Sequence, residues 1–182
     1  MTIPDFVAID FETANPRRAS AIQIGIVRVI GGVVQEPFTS PVLPPLGFRE
    51  FREDQARIHG LGESYIVGAP AWREIHDRIV RFADGLPLVA HNASFERSVI
   101  NAASLESGFT PHPFDYVCTL KMARRMLPEQ DKHRLDTLAE LFGIRQERHH
   151  DAGDDARVGA ELALALVQRD GGERLFSSLM YQ

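Results

Sequence analysis

Before Thr39 the apolar residues of this chain come in strand-length runs, and from Pro70 onward they recur every three or four positions. That change of period restricts the fold to a mixed α/β class. Residues 6–11, 21–30 and 33–39 are β-rich, with Gly31-Gly32 as a tight hairpin turn between the second and third. Pro41, Pro44, Pro45 and Gly47 break all periodicity, so residues 40–57 are expected to form a surface loop. Trp72, Ile75, Ile79 and Phe82 share one helical face, and residues 86–90 and 116–119 read as short strands. Helices are expected over about 95–107, 120–127, 135–142 and 153–168. A hairpin followed by alternating strands and helices gives a mixed β-sheet flanked by α-helices.

No repeat and no shift of composition divides the 182 residues, so residues 1–182 are expected to be one domain. With 44% hydrophobic and 25% charged residues the chain is not mostly disordered. A net charge of −5 argues against a basic surface that coats duplex nucleic acid. It leaves room for a small site that grips one strand end with the help of bound metal ions. Cys118 is the only cysteine and can form no intrachain disulfide. The chain opens without a secretory signal and has no apolar run of about 18 residues, so a cytoplasmic protein with no membrane span is expected.

Several acids sit on apolar faces. In the first strand Val7, Ile9 and Phe11 share one side, and Phe6, Ala8, Asp10 and Glu12 the other. Glu96 lies on the helical stripe of Val99, Ile100 and Ala103, and Asp155 centres that of Val158, Leu162 and Leu166. Asp154 points about 100° away, and Asp154→Asn is expected to be close to neutral. Each acid alone has an ordinary explanation, as a solvated strand end or a charge near a helix N-terminus. Together they suggest one cation site, and oxygen-only ligands select Mg²⁺ or Mn²⁺ over zinc. His149 and His150 precede the last helix, where a histidine can take a proton from an attacking water.

Asp10-Phe11-Glu12-Thr13 resembles the first motif of the DEDDh 3′–5′ exonucleases, a family that includes RNase T, oligoribonuclease and the proofreading subunit of bacterial DNA polymerase III. His91-Asn92-Ala93-Ser94-Phe95-Glu96 is similar to the second motif, which usually ends in Asp, and His150 through Ala156 to the third. Ile58-His59-Gly60-Leu61 and the stretch from His133 to Ala139 resemble further family segments. The family spacing selects His150 with Asp155 over His149 with Asp154, as the helical stripe selects Asp155.

The resemblance implies a ribonuclease H-like fold and hydrolysis with two Mg²⁺ or Mn²⁺ ions. Asp10, Glu12, Glu96 and Asp155 would be the metal ligands and His150 the general base. Thr13, His59, Asn92 and Phe95 would contact the terminal nucleotide. The expected partner is the single-stranded or frayed 3′ end of DNA or RNA, and the product a 5′-mononucleotide. Glu96 has one methylene more than the family Asp, which bears on rate and on the preference between Mg²⁺ and Mn²⁺. An RNA 3′-end trimming enzyme, a non-catalytic end-binding relative weakened by Glu96 and an endonuclease on the same general fold are the alternatives. A homodimer is open, because RNA-trimming members dimerise. About 15 residues after the last expected helix leave little room for a polymerase-binding tail. The 18 arginines and 2 lysines are scattered, with Arg49, Arg52 and Arg57 near the expected loop and Lys121, Arg124 and Arg125 on one helix.

Overall fold

Side chains alternating along β1 (Phe6–Thr13) divide the interior in two. Val7, Ile9 and Phe11 enter one apolar cluster, and Phe6 and Ala8 enter another on the opposite face of the sheet. The computed structural model describes residues 3–182. Among them, β1 is flanked by β2 (Ala21–Ile30) and β5 (Leu88–Ala90), with β6 (Tyr116–Cys118) beyond β5. The far edge of β2 carries β3 (Val33–Val34) and β4 (Phe38–Pro41). Pairing is antiparallel from β4 and β3 through β2 to β1, and parallel from β1 through β5 to β6. The expected mixed α/β sheet flanked by helices is therefore the observed architecture.

Helices α2 (Trp72–Ala83) and α3 (Ser94–Glu106) cover the face that receives Ile9. The opposite face is covered by α4 (Thr119–Met126), α5 (Leu135–Leu141), α6 (Ala152–Val167) and α7 (Gly172–Ser178). Helix α6 is buried along nearly its whole length, which explains its run of Ala and Leu with few charges. Among the described residues no helix is long and apolar enough to cross a membrane.

Two expectations need correction. The strand expected over 33–39 is two strands, β3 and β4, separated by Gln35-Glu36-Pro37, where proline has no N–H to give the ladder. The loop expected over 40–57 begins inside β4, which ends at Pro41, and ends inside a helix, α1 (Glu53–His59). Helix α1 has no buried residue and so no apolar stripe to betray it, but Glu53 and Asp54 stand in its first turn and Gly60 closes it in the left-handed conformation. After α6 the chain packs back on the sheet: α7 buries Phe176, and Tyr181 exchanges backbone hydrogen bonds with Tyr116 on the edge strand β6.

One close approach sets the site. Strand β2 pairs Gly25 with Asp10 and Gln23 with Glu12. A Cβ on Gly25 would lie 1.9 Å from the Ala152 carbonyl oxygen, so only glycine lets the start of α6 rest against the strand there. The Gln23 side chain accepts a 2.9 Å hydrogen bond from Ala152 N and fixes the contact. The N-terminal turn of α6 is thereby held beside the acidic end of β1.

Candidate active site

The site forms where β1 ends between an antiparallel and a parallel neighbour, at the carboxyl ends of β1 and β5. Crevices at such points are where open α/β sheets bind ligands. Strand β1 projects Asp10 and Glu12 toward the α6 face, the first turn of α6 contributes Asp155, and the first turn of α3 contributes Glu96. Asp155 and Glu96 are buried, at 8% and 2% exposure, and Asp10 and Glu12 are half-buried.

Crowding and burial oppose ionisation of all four. Burial, then the charges of Glu96, Glu12 and Asp155, push the Asp10 carboxyl well above its ordinary value. Burial and the charges of Asp155 and Asp151 push Glu12 to about 8. Burial also raises Glu96 to about 8, against its own backbone amide and Arg18. Asp155 rises by burial to about 6, with the Gln146 amide opposing. Four carboxyls that resist ionisation together are unfavourable for a folded protein on its own and suited to a cation.

Two observations test the fit to a divalent ion. Glu12, His150 and Asp155 can each turn one ligand atom inward with all three within 4.8 Å of one another. Glu96 Oε2 is buried and, among the described residues, has no hydrogen-bond partner. An oxygen-rich donor set with an orphaned carboxylate oxygen fits Mg²⁺ or Mn²⁺.

His150 stands on the loop before α6 with φ of 61°, a conformation costly for a side chain with a Cβ. Its ring meets that of His149 edge-on at 4.1 Å. Burial, then the neighbouring His149 and Arg134, push its imidazole below the ordinary value, which favours the neutral form a base needs. Gln146, which the motifs do not single out, donates a 2.6 Å hydrogen bond to Asp155 Oδ1 and orients that carboxylate.

Asp154 is not the replaceable side chain expected. It is 6% exposed and accepts 2.7 Å hydrogen bonds from the Glu147 and Arg148 amides, besides pairing with Arg157. Burial pulls its carboxyl up, but these partners outweigh it and leave it below the ordinary value. Asp154 thus ties down the loop that carries His150, and the helical geometry that turns it away from Asp155 turns it toward that loop.

The expected substrate residues lie around the same end of the sheet. Thr13 is buried, and its carbonyl accepts a 3.2 Å hydrogen bond from His59 Nε2, while Leu61 N donates to His59 Nδ1. These partners fix the neutral tautomer, and burial lowers the His59 pKa. Asn92 is exposed with φ of 80° and accepts from Ser94 Oγ at 3.0 Å. Phe95 is half-buried under the guanidinium of Arg18. His91 plays a structural part instead. Its Nε2 donates to His133 O at 2.9 Å, and its Nδ1 meets Thr119 Oγ1 at 3.0 Å. The contact with His133 latches the segment before α5 onto a cleft of about 570 Å³ whose lining includes Asp10, Arg124, His133, His150 and Asp155.

Known proteins resemble this chain in sequence and in fold. Residues 7–163 match the RNase_T family model, described as Exonuclease. The chain is 31% identical to the DNA polymerase III subunit epsilon of Treponema pallidum, covering 89% of this chain and 76% of that one. It is 30% identical to the PolC-type DNA polymerase III of Caldanaerobacter subterraneus, over 91% of this chain but only 12% of that far longer protein. Among solved structures, Exonuclease X in complex with 5′ overhanging duplex DNA superimposes with a TM-score of 0.76 at 24% identity, covering 94% of this chain and 98% of the other. That likeness speaks for the fold.

Proposed function

The chain belongs to the RNase_T exonuclease family, whose DEDDh members are divalent-metal-dependent 3′–5′ exonucleases, and from that premise we propose that it removes 5′-mononucleotides from single-stranded or frayed 3′ ends of DNA. The observation that carries this reading is the gathering of Asp10, Glu12, Glu96 and Asp155 from β1, α3 and α6, near enough for the other three to raise the Asp10 carboxyl, with ligand atoms of Glu12, His150 and Asp155 within 4.8 Å of one another. Residues 1–182 act as one exonuclease unit.

Asp10, Glu12, Glu96 and Asp155 would hold two Mg²⁺ or Mn²⁺ ions, which when bound stabilise negative charge on the attacking and leaving oxygens of a phosphodiester. The neutral imidazole of His150 takes the proton of the attacking water. Gln146 keeps the Asp155 carboxylate turned into the site through its 2.6 Å hydrogen bond. Thr13, His59, Asn92 and Phe95 receive the terminal nucleotide, and a base already unpaired enters without the cost of unstacking. The bond broken is the one to the 3′ oxygen of the preceding nucleotide, so the leaving strand keeps a 3′ hydroxyl for the next cycle.

A 3′-labelled single-stranded DNA oligonucleotide, beside an RNA of the same sequence, tests this with Mg²⁺, Mn²⁺ or EDTA. Labelled 5′-mononucleotide should appear from DNA with either metal, and not with EDTA or from Asp10→Asn. Binding without release in Mn²⁺ would make the chain an end-binding relative. Cutting of circular single strands would make it an endonuclease, and release from RNA alone would make it an RNA-trimming enzyme.

A further inference from the structure

The carboxylates create a difficulty for the substrate as well as for the fold. Nucleic acid is a polyanion, and it must approach four clustered acids on a chain of net charge −5. Bound cations meet the charge at the reacting phosphate, while neighbouring phosphates need fixed positive groups.

The loop between β1 and β2 carries two arginines in unlike circumstances. It is held rigidly: Ala14 N donates to Ser20 O at 2.9 Å, Ser20 Oγ donates to Arg17 O at 2.6 Å, and Asn15 Nδ2 donates to Glu50 O at 2.7 Å. Arg17 is committed, with its guanidinium 3.8 Å from the centre of the Phe48 ring and Nη1 donating to Gly47 O at 2.7 Å. Arg18 points the other way. Its guanidinium lies 4.4 Å from the centre of the Phe95 ring, the residue is exposed, and among the described residues no acceptor takes any of its five N–H donors. Its charge reaches Glu96, yet the two form no ion pair.

We propose that Arg18, stacked on Phe95 beside the carboxylate cluster, binds a backbone phosphate of the nucleic-acid strand held at the site. The inference rests on the nuclease reading above and adds to it a subsite outside the family motifs. A guanidinium held over an aromatic ring is partly ordered in advance and keeps N–H groups free, which grip phosphate through paired bonds. The rigid loop removes most of the remaining freedom, so ordering costs little when the strand arrives. Phe95 then serves both as a wall for the terminal nucleotide and as the support that aims Arg18. A residue serving only as counterion to Glu96 would have closed onto it.

The test is the salt dependence of binding in the Asp10→Asn background, where the strand is not degraded. Anisotropy of a fluorescein-labelled oligo-dT, with Mn²⁺ and 50–200 mM KCl, gives log K against log salt, whose slope counts phosphates neutralised at about 0.7 each for a single strand. Arg18→Gln should lower the slope by about 0.7 and weaken binding roughly three- to tenfold. Arg18→Lys, which keeps the charge, should restore the slope and part of the affinity. Arg81→Gln removes an equal charge from the last turn of α2, at the opposite end of the sheet, and should change neither. In the active enzyme Arg18→Gln should raise KM more than it lowers kcat. An unchanged slope and KM would overturn the proposal, as would an effect confined to Mn²⁺ affinity, which would mark Arg18 as the counterion of Glu96. Failure of the nuclease reading shows separately, as absence of mononucleotide release by the unaltered chain.

Discussion

Glu96→Gln should stabilise the metal-free protein while impairing the enzyme. Glu96 is 2% exposed, and its carboxyl is raised from 4.5 to about 8 by burial. Between those values the folded protein holds a proton that the unfolded chain has released, so metal-free stability falls as pH rises through that window. At pH 7 the cost is on the order of 3 kcal/mol, from 2.303RT multiplied by the distance from 4.5 to 7. Glutamine removes it. For a chain of this size a kcal/mol is worth about 2–4 °C in Tm, so the melting temperature in EDTA at pH 7 should rise by roughly 6–12 °C. At pH 5 the gain should fall below about 1 kcal/mol, because the unfolded glutamate is then itself partly protonated. Thermal melts of both proteins at pH 5 and pH 7, with EDTA or Mn²⁺, give the comparison. Added Mn²⁺ should stabilise the unaltered chain more than the variant and narrow the gap. A variant that melts lower in EDTA at pH 7, or gains equally at both pH values, would refute the reasoning.

His150→Ala should lower kcat by about 10²- to 10⁴-fold in a mononucleotide-release assay while leaving Tm near that of the unaltered chain. Glu96→Asp, which restores the usual family residue, should keep activity within about tenfold and shift the ratio of Mg²⁺- to Mn²⁺-supported rates. Gly25→Ala drives a Cβ toward the Ala152 carbonyl at 1.9 Å, and should cost about 3 kcal/mol or more by urea unfolding. Asp154→Ala should cost about 1–3 kcal/mol, because it removes the shared acceptor of the Glu147 and Arg148 amides, both in half-buried hydrogen bonds, and the partner of Arg157.

The acids were legible because burial and charge conflict visibly in a sequence. Asp10 and Glu12 share the face of Phe6 and Ala8, and that face does meet α6. Asp155 and Glu96 stand on apolar helical stripes, and both are buried. Helices α2, α3 and α6 carry strong apolar periodicity and were legible for the same reason. Helix α1, whose residues are all at least partly exposed, offers no such period, and the short α7 offers only Leu175 and Phe176 within a polar stretch. Arg18 was illegible because a stack on Phe95 joins residues 77 positions apart, and nothing in either neighbourhood signals the other. Gln146 and Asp154 work through a loop whose shape follows from the left-handed turn at His150, a feature of the backbone and not of composition.

Anomalous diffraction from crystals soaked in Mn²⁺ bears most directly on the convergence of Asp10, Glu12, Glu96 and Asp155. Manganese peaks should lie among these four carboxylates, with Glu96 Oε2 engaged directly or through water, and should vanish in Asp10→Asn. Carboxylates left apart with no anomalous density between them, in a protein that still released mononucleotides, would contradict the account.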